Sequence, residues 1–141
     1  MDKSAAYIRM CAKAYEIQHL WEQTYGDFFV GANGKICCWL ERSKNDLKVK
    51  KGFGIRREEG IIHVAKYTWL PRLDQLIEMA QIKGRRFEKT TQAFFDWNKK
   101  IYPGRRTSPS KLFKSMEKVW LAYLMHQNYH KFWDGSAWVK R

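Results

Sequence analysis

Apolar positions in the first part of the chain recur three and four residues apart. Tyr7, Ile8, Cys11, Ala14, Tyr15, Gln18 and Trp21 share one stripe, with Arg9, Lys13 and Glu16 off it. That period predicts a helix over 4–23, with Ser4 or Asp2 able to satisfy its first free N–H groups. Tyr25-Gly26-Asp27 ends it. The pattern then shifts to two short β-prone runs, 27–31 and 35–41, separated by Ala32-Asn33-Gly34. Asn and Gly both tolerate positive φ, so a hairpin over 27–41 is predicted. Residues 42–60 are polar and charged and read as a long loop. The run 61–70, rich in Ile, Val, Tyr, Thr and Trp, predicts a third strand.

The second half is patterned for helices. Pro71 is expected to open one at its first turn, with Leu73, Leu76, Ile77 and Ala80 inward and Gly84 at its end. A helix over 88–102 is expected to bury Phe94, Phe95 and Ile101 and to stop at Pro103-Gly104. Ser108-Pro109 offers a cap and a first-turn proline for a helix reaching about residue 129. Its stripe of Leu112, Phe113, Met116, Val119, Trp120, Tyr123 and Leu124 makes it the expected core element. Asp134-Gly135, between Phe132-Trp133 and Trp138, reads as a tight turn before a final short strand. The class is therefore α+β. A small antiparallel sheet (hairpin 27–41, strand 61–70 and a C-terminal strand) is packed by about four helices in a single domain, 1–141. A chain of 141 residues suffices for one core.

Composition adds one strong fact. There are 27 Lys and Arg against 14 Asp and Glu, a net charge of +13. Solubility alone is served by a net charge of roughly 2–8 in a small domain. A larger excess repels itself, and an anionic partner would relieve that repulsion. With 16% aromatic residues the chain is no solvated basic tail.

Most of the cations fall in two stretches. Arg42, Lys44, Lys48, Lys50, Lys51, Arg56 and Arg57 occupy the polar loop, where glycines let backbone approach a phosphate. Lys83, Arg85, Arg86, Lys99, Lys100, Arg105, Arg106, Lys111 and Lys114 make the second group, with Lys118 beyond it. Arg85-Arg86 and Arg105-Arg106 bracket one helix, so a helical hairpin would bring both pairs to one end. Lys111, Lys114 and Lys118 would lie on the polar face of the next helix. These residues are the expected anion-binding surface, and the partner is expected to be a nucleic acid or a host nucleoprotein complex. The plain alternative is a solvated face.

Catalytic chemistry is not legible. Asp27, Asp74, Glu78 and Asp134 are scattered; the least remote enzyme is a metal-dependent nuclease using Asp74 and Glu78 four residues apart. Arg72 and Lys83 can balance that pair as ordinary surface charge. His126 and His130 are also four apart, but no HExxH or CxxC accompanies them. Gly31-Ala32-Asn33-Gly34 has the GxxG spacing of a backbone clamp, yet strands flank it, so a turn is the better reading. We expect no enzyme activity, no cofactor and no metal. Cys11, Cys37 and Cys38 form an odd set fitting a reduced, cytoplasmic setting. No apolar run approaches a membrane span.

Four blocks of the chain form a wider pattern. The first is Tyr7-Ile8-x-Met10-Cys11-x-Lys13-Ala14 with Glu16-Ile17-Gln18, Trp21 and Gly26-Asp27-Phe28. The second is Trp69-Leu70-Pro71-Arg72 with Asp74-Gln75-Leu76 and Glu78-Met79. Met116-Glu117-Lys118 with Trp120-Leu121-Ala122-Tyr123, then Trp133-Asp134-Gly135 with Trp138-Val139, complete it. This order resembles a group of short uncharacterised proteins encoded in phages and prophages of Gram-positive bacteria. The resemblance implies a setting, the infected bacterial cytoplasm, and no catalytic motif. Small phage accessory proteins commonly act by binding DNA, host machinery or defence systems such as CRISPR effectors. A counter-defence inhibitor of the anti-CRISPR kind is the expected role. The alternatives are a protein-binding inhibitor, a nucleotide-sequestering sponge or a structural phage component.

Overall fold

The computed structural model describes residues 1–39, 67–81 and 87–140. Among these residues there are six helices and five short strands. The order is α1 (Ala5–Lys13), α2 (Tyr15–Gln18), β1 (Phe28–Val30), β2 (Ile36–Cys38), β3 (Thr68–Leu70), α3 (Leu73–Ala80), α4 (Phe87–Asn98), α5 (Pro109–Phe113), α6 (Met116–Tyr129), β4 (Lys131–Trp133) and β5 (Trp138–Lys140). The α+β class expected from the sequence holds. No helix among the described residues is long and apolar enough to cross a membrane.

Helix α6 is the axis of the core. Val119, Trp120, Leu121, Ala122, Tyr123, Leu124 and Met125 are buried in succession. Nearly two turns are thus covered on every side, which an amphipathic surface helix never is. α1, α3, α4, α5 and β4 all pack on it. The ring of Trp120 stacks on Phe94 of α4, centroids 3.9 Å apart and planes 2° off parallel, with Tyr123 edge-on to both.

The main sheet has the order β2-β1-β3 and is antiparallel throughout. Phe29 pairs with Cys37 on one side and Trp69 on the other. The β1–β2 turn follows the Asn-Gly expectation: Gly34 has φ +75° and the Asn33 side chain accepts from the Lys35 N–H at 3.0 Å. The C-terminal strand does not join this sheet. β4 and β5 make a separate hairpin, Phe132 opposite Val139. Its turn is closed by the Asp134 carboxylate, which accepts from the Ser136 and Ala137 N–H groups. Trp138 anchors the hairpin to α1 by donating its indole N–H to the Met10 carbonyl at 2.9 Å.

Several boundaries differ from the pattern reading, each for a local reason. The first helix breaks at Ala14, whose ψ of 65° leaves the helical region. The Cys11 carbonyl there accepts from the Ala14 N–H and from the Gln18 side-chain amide at 3.1 Å. The same amide donates to the Trp69 carbonyl at 3.0 Å and accepts the Trp69 N–H at 2.7 Å. Pro71 sits outside α3, and its carbonyl takes the Tyr7 hydroxyl proton at 2.6 Å. The expected helix from 108 to 129 is two helices, divided where Lys114 adopts φ +56° and Ser115 caps α6 by accepting from the Lys118 N–H. The break leaves Met116 in the first turn of α6 and 48% exposed. In α4 the inward face is Thr90, Phe94 and Trp97, so Phe95, one residue round, is 51% exposed. Ile101 lies past the end of α4 and is 73% exposed. The strand expected over 61–70 is described only for its last part, and Gly84 lies outside the described residues.

Trp120→Ala removes the stacked ring from the centre of this packing. It is expected to cost about 3–5 kcal/mol, the usual range for large-to-small core changes. Urea unfolding measures it; a change within about 0.5 kcal/mol would put Trp120 among surface positions.

Candidate anion-binding cleft

The loop after α4 hangs on one buried side chain. Tyr102 is 1% exposed, with its ring edge-on to Trp97 and Phe113. Its hydroxyl accepts the Trp133 N–H, its own N–H bonds the Thr107 carbonyl, and its carbonyl accepts the Arg105 N–H. Burial pushes the phenol pKa up, so it stays neutral. Pinned in this way, the loop leaves Lys99, Lys100, Arg105 and Arg106 at the surface. The Asn98 side chain accepts from the Ser110 N–H at 2.9 Å, joining the end of α4 to the start of α5. Lys111 and Lys114 then project from α5 and the turn after it, both exposed.

Arg105 reaches further. Its guanidinium donates to the Asp134 carbonyl at 2.8 Å and crosses the β4–β5 turn. A side chain at Gly135 would come within 3.3 Å of that guanidinium, and its φ of +117° favours glycine as well. The crossing borders an open, shallow cleft of about 380 Å³ lined by α1, α5, the start of α6 and the hairpin turn. Ala6, Met10, Leu112, Phe113 and Trp133 supply apolar walls. Arg105, Lys114 and Lys118 supply cations, and no carboxylate is among the described lining residues.

Lys118 already has a partner. Its ammonium lies 3.2 Å from the Asp2 carboxylate, which also accepts the Ser115 hydroxyl at 2.6 Å and the Ser4 N–H at 2.8 Å. Arg105 and Lys114 make no direct ion pair among the described residues, although the Asp134 carboxylate, its pKa held down by the Ser136 and Ala137 N–H groups, lies near enough to Arg105 to be lowered further by it. The sequence grouped Lys111, Lys114 and Lys118 on one helical face. The left-handed backbone at Lys114 separates them, and only Lys114 and Lys118 reach the cleft.

Of the expected site residues, Arg105 and Lys114 come together. Lys99, Lys100, Arg106 and Lys111 are exposed outside the cleft, Lys99 with Asp96 at 3.8 Å. Arg42, Lys44, Lys48, Lys50, Lys51, Arg56, Arg57, Lys83, Arg85 and Arg86 lie outside the described residues. The sequence reading missed the apolar floor, because Met10 and Leu112 come from distant helices. It also missed the Asp2–Lys118 pair, for which no local spacing exists.

The carboxylates weighed for catalysis have other surroundings. Asp27 is fully buried and accepts four bonds: from the Trp21 indole, the Thr24 N–H, Arg72 at 3.0 Å and the Gln75 amide at 2.6 Å. Asp74 is exposed and paired with Arg72 at 3.2 Å. His130 ends α6 in a left-handed conformation and so leaves the face of His126. Burial, with His130 and Lys100 nearby, pushes the His126 imidazole pKa down. No three His, Cys, Asp or Glu side chains converge among the described residues.

Asp2 gives the cleft wall a pH signature. Burial opposes its ionisation, but the Ser115 hydroxyl, the Ser4 N–H and hydroxyl, and Lys118 together hold its pKa down at about 2, from 3.8. A carboxyl whose pKa falls on folding stabilises the fold fully above the unfolded value and loses that contribution as pH falls through the folded one. Unfolding midpoints should therefore drop between about pH 4 and pH 2 by an amount worth about 2 kcal/mol. Asp2→Asn should lower stability at neutral pH and flatten this part of the profile. An unchanged acid limb in the variant would remove Asp2 from the account.

No family model, curated protein or solved structure matches this chain.

Proposed function

We propose that this protein is a non-enzymatic accessory protein of the phage type. It binds an anionic partner, a nucleic acid or a host nucleoprotein complex, in the cytoplasm of a bacterial host, and acts as a counter-defence inhibitor of the anti-CRISPR kind. The observation that carries the reading is the row of exposed cations on the stretch from α4 to α6. Lys100, Arg106, Lys111 and Lys114 are all exposed there with no carboxylate partner among the described residues. Phosphate backbones are met by Arg and Lys in this way, mostly without regard to sequence.

A protein-binding inhibitor is the second reading. It is favoured by Phe87, Phe95 and Ile101, large apolar side chains left exposed at and beyond α4. Such side chains commonly mark contact surfaces when they adjoin.

Charge reversal separates the two. Lys100→Glu, Arg106→Glu, Lys111→Glu and Lys114→Glu together touch no buried bond and should leave the fold intact by circular dichroism. Oligonucleotide binding, followed by fluorescence anisotropy across a salt series, should be lost in this variant at low salt. Single reversals should each flatten the slope of log K against log salt by about 0.9 per phosphate contact removed on duplex DNA. Asp74→Asn with Glu78→Gln serves as the catalytic control and should leave binding unchanged. Undiminished binding by the fourfold variant would return the function to the apolar surface.

A further inference from the structure

We propose that the cleft walled by α1, α5 and the β4–β5 turn is a subsite for a single nucleoside phosphate unit. The phosphate meets Arg105 and Lys114, and the base lies against the apolar floor. This rests on the nucleic-acid reading above and narrows it from a surface to a seat.

The argument comes from the mixture of linings. A surface that only tracks a phosphate backbone gains from a groove that focuses the field of its cations, but it needs no apolar floor. Here the cations open onto the half-buried Ala6 and Leu112, with the small exposed parts of Met10, Phe113 and Trp133 beside them. A hydrated inorganic phosphate has no use for such a floor, and a neutral apolar ligand has no use for the rim. A planar base joined to a phosphate uses both. The volume of about 380 Å³ falls in the range of small-molecule sites, roughly 300–1,000 Å³.

The free donors also fit. Arg105 spends one guanidinium nitrogen on the Asp134 carbonyl, which fixes its plane across the turn and leaves other N–H groups for a phosphate. Lys114 also lines the cleft and makes no ion pair among the described residues. Lys118 is held by Asp2, whose charge offsets its own, so the phosphate is left to Arg105 and Lys114. Bases in a duplex are paired and stacked. The cleft can therefore take a base only from an unpaired strand, a strand end or a free nucleotide. Base contacts of this kind tolerate any sequence, because every base offers an apolar face.

The test compares binding of a single-stranded oligonucleotide, the same strand made abasic, and its duplex, all by anisotropy at one salt concentration. The intact strand should bind about tenfold more tightly than the abasic strand, in keeping with one base contact. Free nucleoside monophosphate should compete that tenfold away, and inorganic phosphate should not. Ala6→Leu, which fills the cleft from α1 without removing a charge, should abolish the difference between intact and abasic strands while duplex binding persists. Leu112→Ser should weaken the same difference without filling the space, and thermal melting confirms that either variant is folded. Salt-dependent binding with no preference for the intact strand overturns the cleft proposal and leaves the broader reading standing. If no oligonucleotide binds at low salt, the broader reading fails first. Thermal shift with nucleoside monophosphate alone then decides the cleft: stabilisation sustains it, and no shift overturns it.

Discussion

A helix buried on all sides sets the terms for the other elements. Seven successive residues of α6 are buried, so every direction around that stretch must be filled by some other part of the chain. α3, α5, α1, α4 and β4 each fill one. Among the described residues the strands of the sheet and of the C-terminal hairpin are three residues long, too short to hold a core by themselves. They persist as covers for helices, and their tryptophans do the covering: Trp69, Trp133 and Trp138 are all buried. The aromatic content is used largely in this way, with flat rings closing the gaps between elements that cross at different angles.

Where rings cannot reach, buried polar groups fix the geometry. Asp27 is the clearest case. Its carboxylate collects the segment after α2, the head of β1 and the first turn of α3 around one pair of oxygens. A charge without access to water demands this number of donors. Having found them, it permits little other arrangement of those three segments. The cationic cleft is walled by parts of the chain that the Asp27 network does not touch. The two polar regions therefore have separate work: one closes the fold, and the other faces outward.

Much of this was readable in the sequence, and the failures have a common cause. The class, the Asn-Gly hairpin and the role of Trp120 follow from local pattern and turn chemistry. The helix breaks at Ala14 and Lys114 do not. Each is tied to a distant segment, the Gln18 amide to the Trp69 backbone and the Ser115 hydroxyl to the Asp2 carboxylate. Phe95 and Ile101 were assigned inward because they are apolar, yet one inward face of α4 was already taken by Thr90, Phe94 and Trp97. For the candidate site, composition pointed to cations but could not say which of them share a concavity. Arg105 and Lys114 do so because Tyr102 and the left-handed turn at Lys114 aim them there.

The pairing of Gln18 with Trp69 has a consequence beyond the bend it makes in the first helix. Among the described residues Trp69 is on β3, an outer strand of the sheet, and its N–H and C=O on the side away from β1 are both engaged by a single side-chain amide. An amide side chain here imitates one residue of a neighbouring strand. An edge left open would invite a strand from another molecule, the first step towards edge-to-edge aggregation. With Gln18 in place, this edge is closed at its centre by a group that cannot propagate the ladder. A protein rich in aromatic β-strand residues thereby keeps one border of its sheet from recruiting its own copies.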